Sequence, residues 1–102
     1  MPLMPPIIVH VDPELAAMIP RFLMNQRKAV AAMRQAWKAS DYATLCQLGH
    51  QMKGTGGGYG FDALTEFGST IEHAAKASDA LHLQQLLEAL GAYLDRLEVV
   101  YD

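Results

Sequence analysis

Residues 49–61 read GHQMKGTGGGYGF, and the way this stretch folds decides what kind of domain the chain makes. A helical pattern continues as far as Lys53, but Gly54, Gly56, Gly57 and Gly58 follow. A glycine inside a helix costs about 0.8–1.0 kcal/mol relative to alanine, so four of them cost roughly 4 kcal/mol if the helix runs on. A domain typically has only about 5–15 kcal/mol of net stability. Two readings stay open from periodicity alone. Either the helix continues and the glycines clear the surface beside His50 for something large, or the helix ends near Gly56 and the glycines form a turn. Gly58 and Gly60 belong to the turn in either case.

The helical phase says where His50 points. Successive residues rotate by about 100°, so with His50 at zero, Leu48 falls near 160°, Met52 near 200° and Leu45 near 220°. Those three make the core-facing stripe, and His50 faces solvent. Cys46, Gly54 and Gly57 share its face, with Gln47 and Lys53 beside it. Gly54 leaves the imidazole uncovered and Gly57 keeps the approach beyond it open.

Working outward, apolar residues recur at helical spacing through most of the chain. Leu23, Val30, Met33 and Trp37 mark a helix from about Arg21 to Ala39. Leu64, Phe67, Ile71 and Ala75 mark another between Gly60 and Lys76, and Leu83, Leu86, Leu87, Leu90, Leu94 and Leu97 mark a last one running to Val100. Lys38-Ala39-Ser40-Asp41 returns as Lys76-Ala77-Ser78-Asp79, which reads as one turn chemistry used twice, with Ser or Asp capping the next helix. Asp12-Pro13-Glu14 starts a short helix, and Pro20 closes it or begins the next. Residues 1–11 read as a loose lead-in, and no alternating β-branched run demands a strand. The expected fold is all-α: an antiparallel up-and-down four-helix bundle over residues 12–102, with a short extra N-terminal helix.

Composition narrows the function. At 102 residues and 51% hydrophobic content, the chain makes one domain with a single core. A net charge of −3 argues against nucleic acid or an anionic membrane as the main partner. The single cysteine, Cys46, excludes an intramolecular disulfide and suits a reducing compartment. The start, MPLMPPIIVHVDPEL, is too short and proline-broken for a membrane span and lacks the basic region of a signal peptide. A cytoplasmic protein, monomeric by default, is expected.

A neutral imidazole is a good nitrogen nucleophile, and Lys53 at i+3 can bring an ammonium to whatever bonds to it. A transferred phosphoryl group needs cations around its equatorial oxygens, so this pair suits a phosphoryl acceptor. No complete kinase is present. GTGGGYG lacks the Gly-Lys-Ser/Thr ending and preceding strand of a P-loop, nor does it sit in a dinucleotide-binding βαβ unit. Cys46 and His50 are an incomplete metal site, and His10, His73 and His82 show no ligand spacing.

The whole stretch resembles the histidine-containing phosphotransfer (HPt) domain family. His50, Lys53, Gly54, Thr55, Gly60 and Leu64 carry the resemblance, with Ile71-Glu72 on the next helix and Asp12-Pro13-Glu14-Leu15 and Phe22-Leu23 upstream. It covers roughly residues 7–100, and the chain departs from the usual pattern at Gly56 to Tyr59. The resemblance implies a four-helix bundle that relays phosphoryl groups between receiver-domain aspartates of hybrid histidine kinases and response regulators. It implies no cofactor of the chain's own, with Mg²⁺ on the receiver. His50 matches the phosphorylated histidine, Lys53 the lysine that stabilises the phosphoryl oxygens, and Gly54 the small residue that clears the face. Glu72 matches the position that orients the imidazole, where Gln or Glu is usual. Leu15, Met18 and Ile19 either cap the bundle or add an apolar rim for a docking receiver. A helical adaptor that binds a partner through the same face without phosphorylation is the alternative, and a bundle metalloprotein a third reading.

Overall fold

The computed structural model describes residues 5–102, so the first four residues of the expected lead-in lie outside it. Four α-helices dominate: α1 Ile19–Lys38, α2 Tyr42–Gly56, α3 Asp62–Lys76 and α4 Ala80–Arg96. Each packs on two neighbours, α1 and α3 both against α2 and α4. Met33, Leu45, Leu64, Ile71, Leu83 and Leu90 are fully buried between them. Of the stripe expected on α1, Val30 and Met33 reach the core, while Leu23 and Trp37 are half-buried at its margin.

The repeated Lys-Ala-Ser-Asp sequence builds the same turn twice. Ser40 and Ser78 both adopt φ 54°. Asp41 N–H donates back to the Ala36 carbonyl at 2.8 Å and Asp79 N–H to that of Ala74 at 3.0 Å. This is a Schellman closure with serine where glycine is usual. The aspartates then cap the following helices: Asp41 accepts from Thr44 N–H and Asp79 from His82 N–H, each at 3.1 Å. Trp37 Nε1–H donates to the Ala80 carbonyl at 2.8 Å, tying the end of α1 to the start of α4. It is an end-of-bundle residue.

Three expectations need correction. Residues 7–11 are not a loose lead-in but a strand, β1 Ile7–Val11. The last helix does not reach Val100: it stops at Arg96, and Leu97–Tyr101 is a second strand, β2. The two pair in parallel, with Ile7 beside Leu97 and Val11 beside Tyr101, so the fold is mostly helical rather than all-α. Ile7, Val9, Leu97 and Val99 pack against the core, which stabilises a pair too small to stand alone. Finally, the short extra helix is one 3₁₀ turn, Pro13–Leu15, with Asp12 capping Glu14 N–H at 2.9 Å. Pro20 begins α1 rather than closing the segment before it.

The glycine stretch divides. α2 runs on through Gly56, a 3₁₀ turn covers Gly57–Tyr59, and Gly60 closes it at φ 88°, a left-handed conformation that glycine adopts without penalty. Tyr59 then stacks on Phe22 at 4.4 Å between ring centres, with Phe61 5.3 Å from the same ring.

Candidate functional site

His50 lies in the third turn of α2 with 69% of its side chain exposed, as the helical phase requires. Leu45 and Met52 are buried on the opposite side and Leu48 is half-buried. Lys53 follows one turn on, 44% exposed. Glu72 comes from α3 and is the surprise of the group, because its side chain is only 11% exposed.

Glycines explain how a short carboxylate reaches across the seam. A Cβ on Gly68 would sit 2.4 Å from Lys53 N and 2.5 Å from the Gly49 carbonyl oxygen, and one on Gly49 would meet Glu72 N at 2.9 Å. A Cβ on Gly56 would likewise press on Leu64 and Thr65. The backbones of α2 and α3 are therefore almost in contact, with Gly49 immediately before His50 and Gly68 one turn before Glu72. At that spacing Glu72 Oε2 stands 3.2 Å from His50 Nδ1 and 3.6 Å from Lys76 Nζ, and Oε1 stands 3.8 Å from Lys53 Nζ.

Burial by itself makes the Glu72 carboxyl harder to ionise, but the charges of Lys76, His50 and Lys53 and contact with the imidazole outweigh it. Its pKa is held below the ordinary carboxylate value. An ionised carboxylate this close to Nδ1 is suited to a ring proton carried on that nitrogen. Two lysines against one carboxylate give the cluster a net positive charge next to that nitrogen.

The remaining sequence-expected residues separate. A Cβ on Gly54 would meet nothing within 4 Å, so no packing among the described residues requires glycine there. Gly57 lies on the exposed 3₁₀ turn, where a Cβ would touch only Thr65 Oγ1 at 3.4 Å. Gln47 is exposed, whereas Cys46 is half-buried and packs against the core. Among the described residues no group of three or more His, Cys, Asp or Glu is placed to hold a metal. Met18 is 50% exposed and Leu15 half-buried, but Ile19 is 1% exposed. Ile19 is therefore a core residue and no part of an accessible rim. Met18, Phe22, Gln26, Thr55 and Tyr59 line an open groove of about 520 Å³ between α1 and the end of α2.

Lys76, Gly49 and Gly68 are the participants that sequence reasoning missed. Lys76 carries a usable signal, since it sits at i+4 from Glu72. Gly68 does too, at i−4 on the stripe that holds Leu64, Ile71 and Ala75.

A sequence model of the Hpt domain matches residues 17–99. The chain belongs to the Hpt domain family. Hpt domains are phosphotransfer modules of two-component phosphorelays that interact with receiver domains, and they are neither kinases nor ATP-binding proteins. The four helices fit the helical bundle of an Hpt domain, and the match takes in α1 to α4 and the first part of β2 but begins after β1. Among curated proteins and among solved structures, no match was found. No helix among the described residues of this Hpt domain is long and apolar enough to cross a membrane.

Proposed function

We propose that His50 is the phosphoryl acceptor of a cytoplasmic relay between receiver domains, with Glu72 orienting its ring and Lys53 offsetting phosphoryl charge. The observation that carries this reading is the Glu72 carboxylate 3.2 Å from Nδ1 of a largely exposed imidazole. In the step proposed, the Nε2 lone pair attacks the phosphorus of a receiver's aspartyl phosphate. The N–P bond forms as the bond from phosphorus to the aspartyl oxygen breaks, and the electron pair leaves with the carboxylate. The imidazole ring becomes cationic, with its proton on Nδ1 facing Glu72. A second receiver aspartate reverses the sequence. Metal assistance belongs to the receiver, whose Mg²⁺ would neutralise the aspartyl phosphate.

Lys76 joins this arrangement as a positioning residue. It shares Oε2 of Glu72 with the imidazole and supports the ionised carboxylate on which the tautomer depends. The open surface at Gly54 supports approach by a body as large as a receiver domain.

Labelling by a phosphorylated receiver tests the reading. Wild type should acquire acid-labile, base-stable phosphate, and a folded His50→Gln should acquire none. Lys53→Ala should slow transfer by about 10- to 100-fold, less than loss of a buried oxyanion donor because the lysine is nearly half exposed. Retained labelling of His50→Gln would remove the assignment. A receiver complex that survives this substitution and forms without any phosphodonor would mark an adaptor instead.

A further inference from the structure

The two-stranded sheet leaves one edge prepared for another strand. In a parallel ladder a residue's N–H and C=O point to one side and those of the next residue to the other. Asp102 N–H donates to the Val11 carbonyl at 3.2 Å, and Val11 lies beside Tyr101 in the register. Asp102, Val100 and Glu98 therefore turn their backbone groups toward β1. Val99 and Tyr101, with the Leu97 carbonyl, turn theirs outward. The opposite edge of the sheet is less open, because the His10 carbonyl oxygen lies 3.9 Å from where a Cβ on Gly60 would stand.

We propose that a second copy of this chain docks on the β2 edge, as an antiparallel strand related by a two-fold axis through Val99. The outward groups have the symmetry this requires. Val99 exchanges both backbone hydrogen bonds with Val99 of the second copy. Tyr101 N–H donates to the Leu97 carbonyl across the axis, and the same bond recurs by symmetry. The side chains agree with that register. Tyr101, 42% exposed in the single chain, packs beside Leu97 of the other copy. Glu98, the one charged residue of the strand, falls opposite Val100, so no like charges meet. Natural edge strands are commonly guarded by lysine, proline, a bulge or a covering element; LEVVY contains neither lysine nor proline. The result is an isologous dimer with a continuous four-stranded sheet, ordered β1-β2-β2-β1. It uses no residue of the His50 cluster.

Sedimentation equilibrium on the full chain from about 5 to 500 µM tests this. Wild type should show concentration-dependent dimerisation. Val99→Pro removes an outward N–H that the ladder to β1 does not use, so the dimer should weaken at least tenfold while the helical circular dichroism persists. Val100→Lys places an ammonium opposite Glu98 of the other copy, and Val100→Glu places a carboxylate there. With two symmetric pairs, the first should tighten the dimer about 2- to 30-fold and the second weaken it comparably. These two report even if the proline variant is poorly folded. A wild type that remains monomeric throughout, or a dimer in which Lys and Glu at position 100 act alike, would overturn the proposal. His50→Gln should dimerise like wild type, which separates this result from the phosphotransfer reading.

Discussion

Replacing Gly68 with alanine would drive a methyl group into the backbone of α2. The new Cβ would stand 2.4 Å from Lys53 N, 2.5 Å from the Gly49 carbonyl oxygen and 2.9 Å from Lys53 Cα. None of these belongs to a side chain that can rotate aside. Ordinary contact begins at 3.4 Å, so α2 and α3 must separate locally by about 1 Å. Overpacking of this kind costs about 1–3 kcal/mol, and a backbone obstacle places Gly68→Ala at the upper end. Alanine's better helix propensity returns up to about 1 kcal/mol. The net loss should be about 2 kcal/mol, or a fall in Tm of roughly 8–16 °C for a domain of this size. The same displacement carries Glu72, one turn further along α3, away from the imidazole. Thermal unfolding should therefore be paired with receiver-driven labelling of the fraction that remains folded, which should slow as well. An unchanged or raised Tm would refute the claim that the two backbones touch. A lowered Tm with unchanged labelling would refute the link between helix spacing and the site.

Gly54→Ala makes the contrasting case, since its methyl meets nothing among the described residues: stability should rise by about 0.5 kcal/mol while transfer from a receiver slows, and an unchanged transfer rate would end the idea that Gly54 clears the face. At the second Lys-Ala-Ser-Asp turn, Ser78→Gly should relieve the left-handed φ and add about 0.5–1 kcal/mol in urea unfolding. Asp79→Ala should remove about 1 kcal/mol with the cap, and equal stabilities for the two variants would contradict the turn geometry. Because the pKa of Glu72 is lowered in the fold, its ionised form stabilises the native state. That contribution is complete above the ordinary carboxylate value of 4.5 and is lost as the pH falls through the lower folded value. The stability gap between wild type and Glu72→Gln should therefore narrow in urea titrations taken downward from pH 4.5, and a gap that widens would reverse the assignment of causes.

Much of this molecule was legible because it is local. Helical phase turned His50 outward and Leu45 and Met52 inward without reference to any other element, and the duplicated Lys-Ala-Ser-Asp turn announced its own chemistry. The strands were not legible for the complementary reason. Ile7–Val11 pairs with residues ninety positions away, and Leu97 continues the i+3 spacing from Leu94, so the leucine periodicity concealed the end of α4. Ile19 was left open between the bundle and a docking rim because the short segment before it is one 3₁₀ turn, where a helical phase cannot be propagated. The glycines were only partly legible. Those around Gly54 to Gly58 drew attention as a cost to the helix or an opening of the surface, while Gly49 and Gly68, which let the helices close on each other, are single residues in otherwise regular helical sequence. The i+4 spacing of Lys76 from Glu72 is in the sequence, but the burial of Glu72 that gives the pair its weight is not.

The parallel pairing of β1 with β2 also bears on how the chain reaches this structure. Contacts within a helical bundle join segments close in sequence and form early, whereas closing a loop of some ninety residues carries an entropic cost that must be met before its hydrogen bonds are gained. The bundle should assemble first and the ribbon zip on afterwards. In the finished protein the same order runs backwards. Amide protons of Val9, Val11 and Val100 should exchange through openings that leave α2 and α3 intact, so the strands form a detachable clasp on a frame that keeps His50 and Glu72 in register without them.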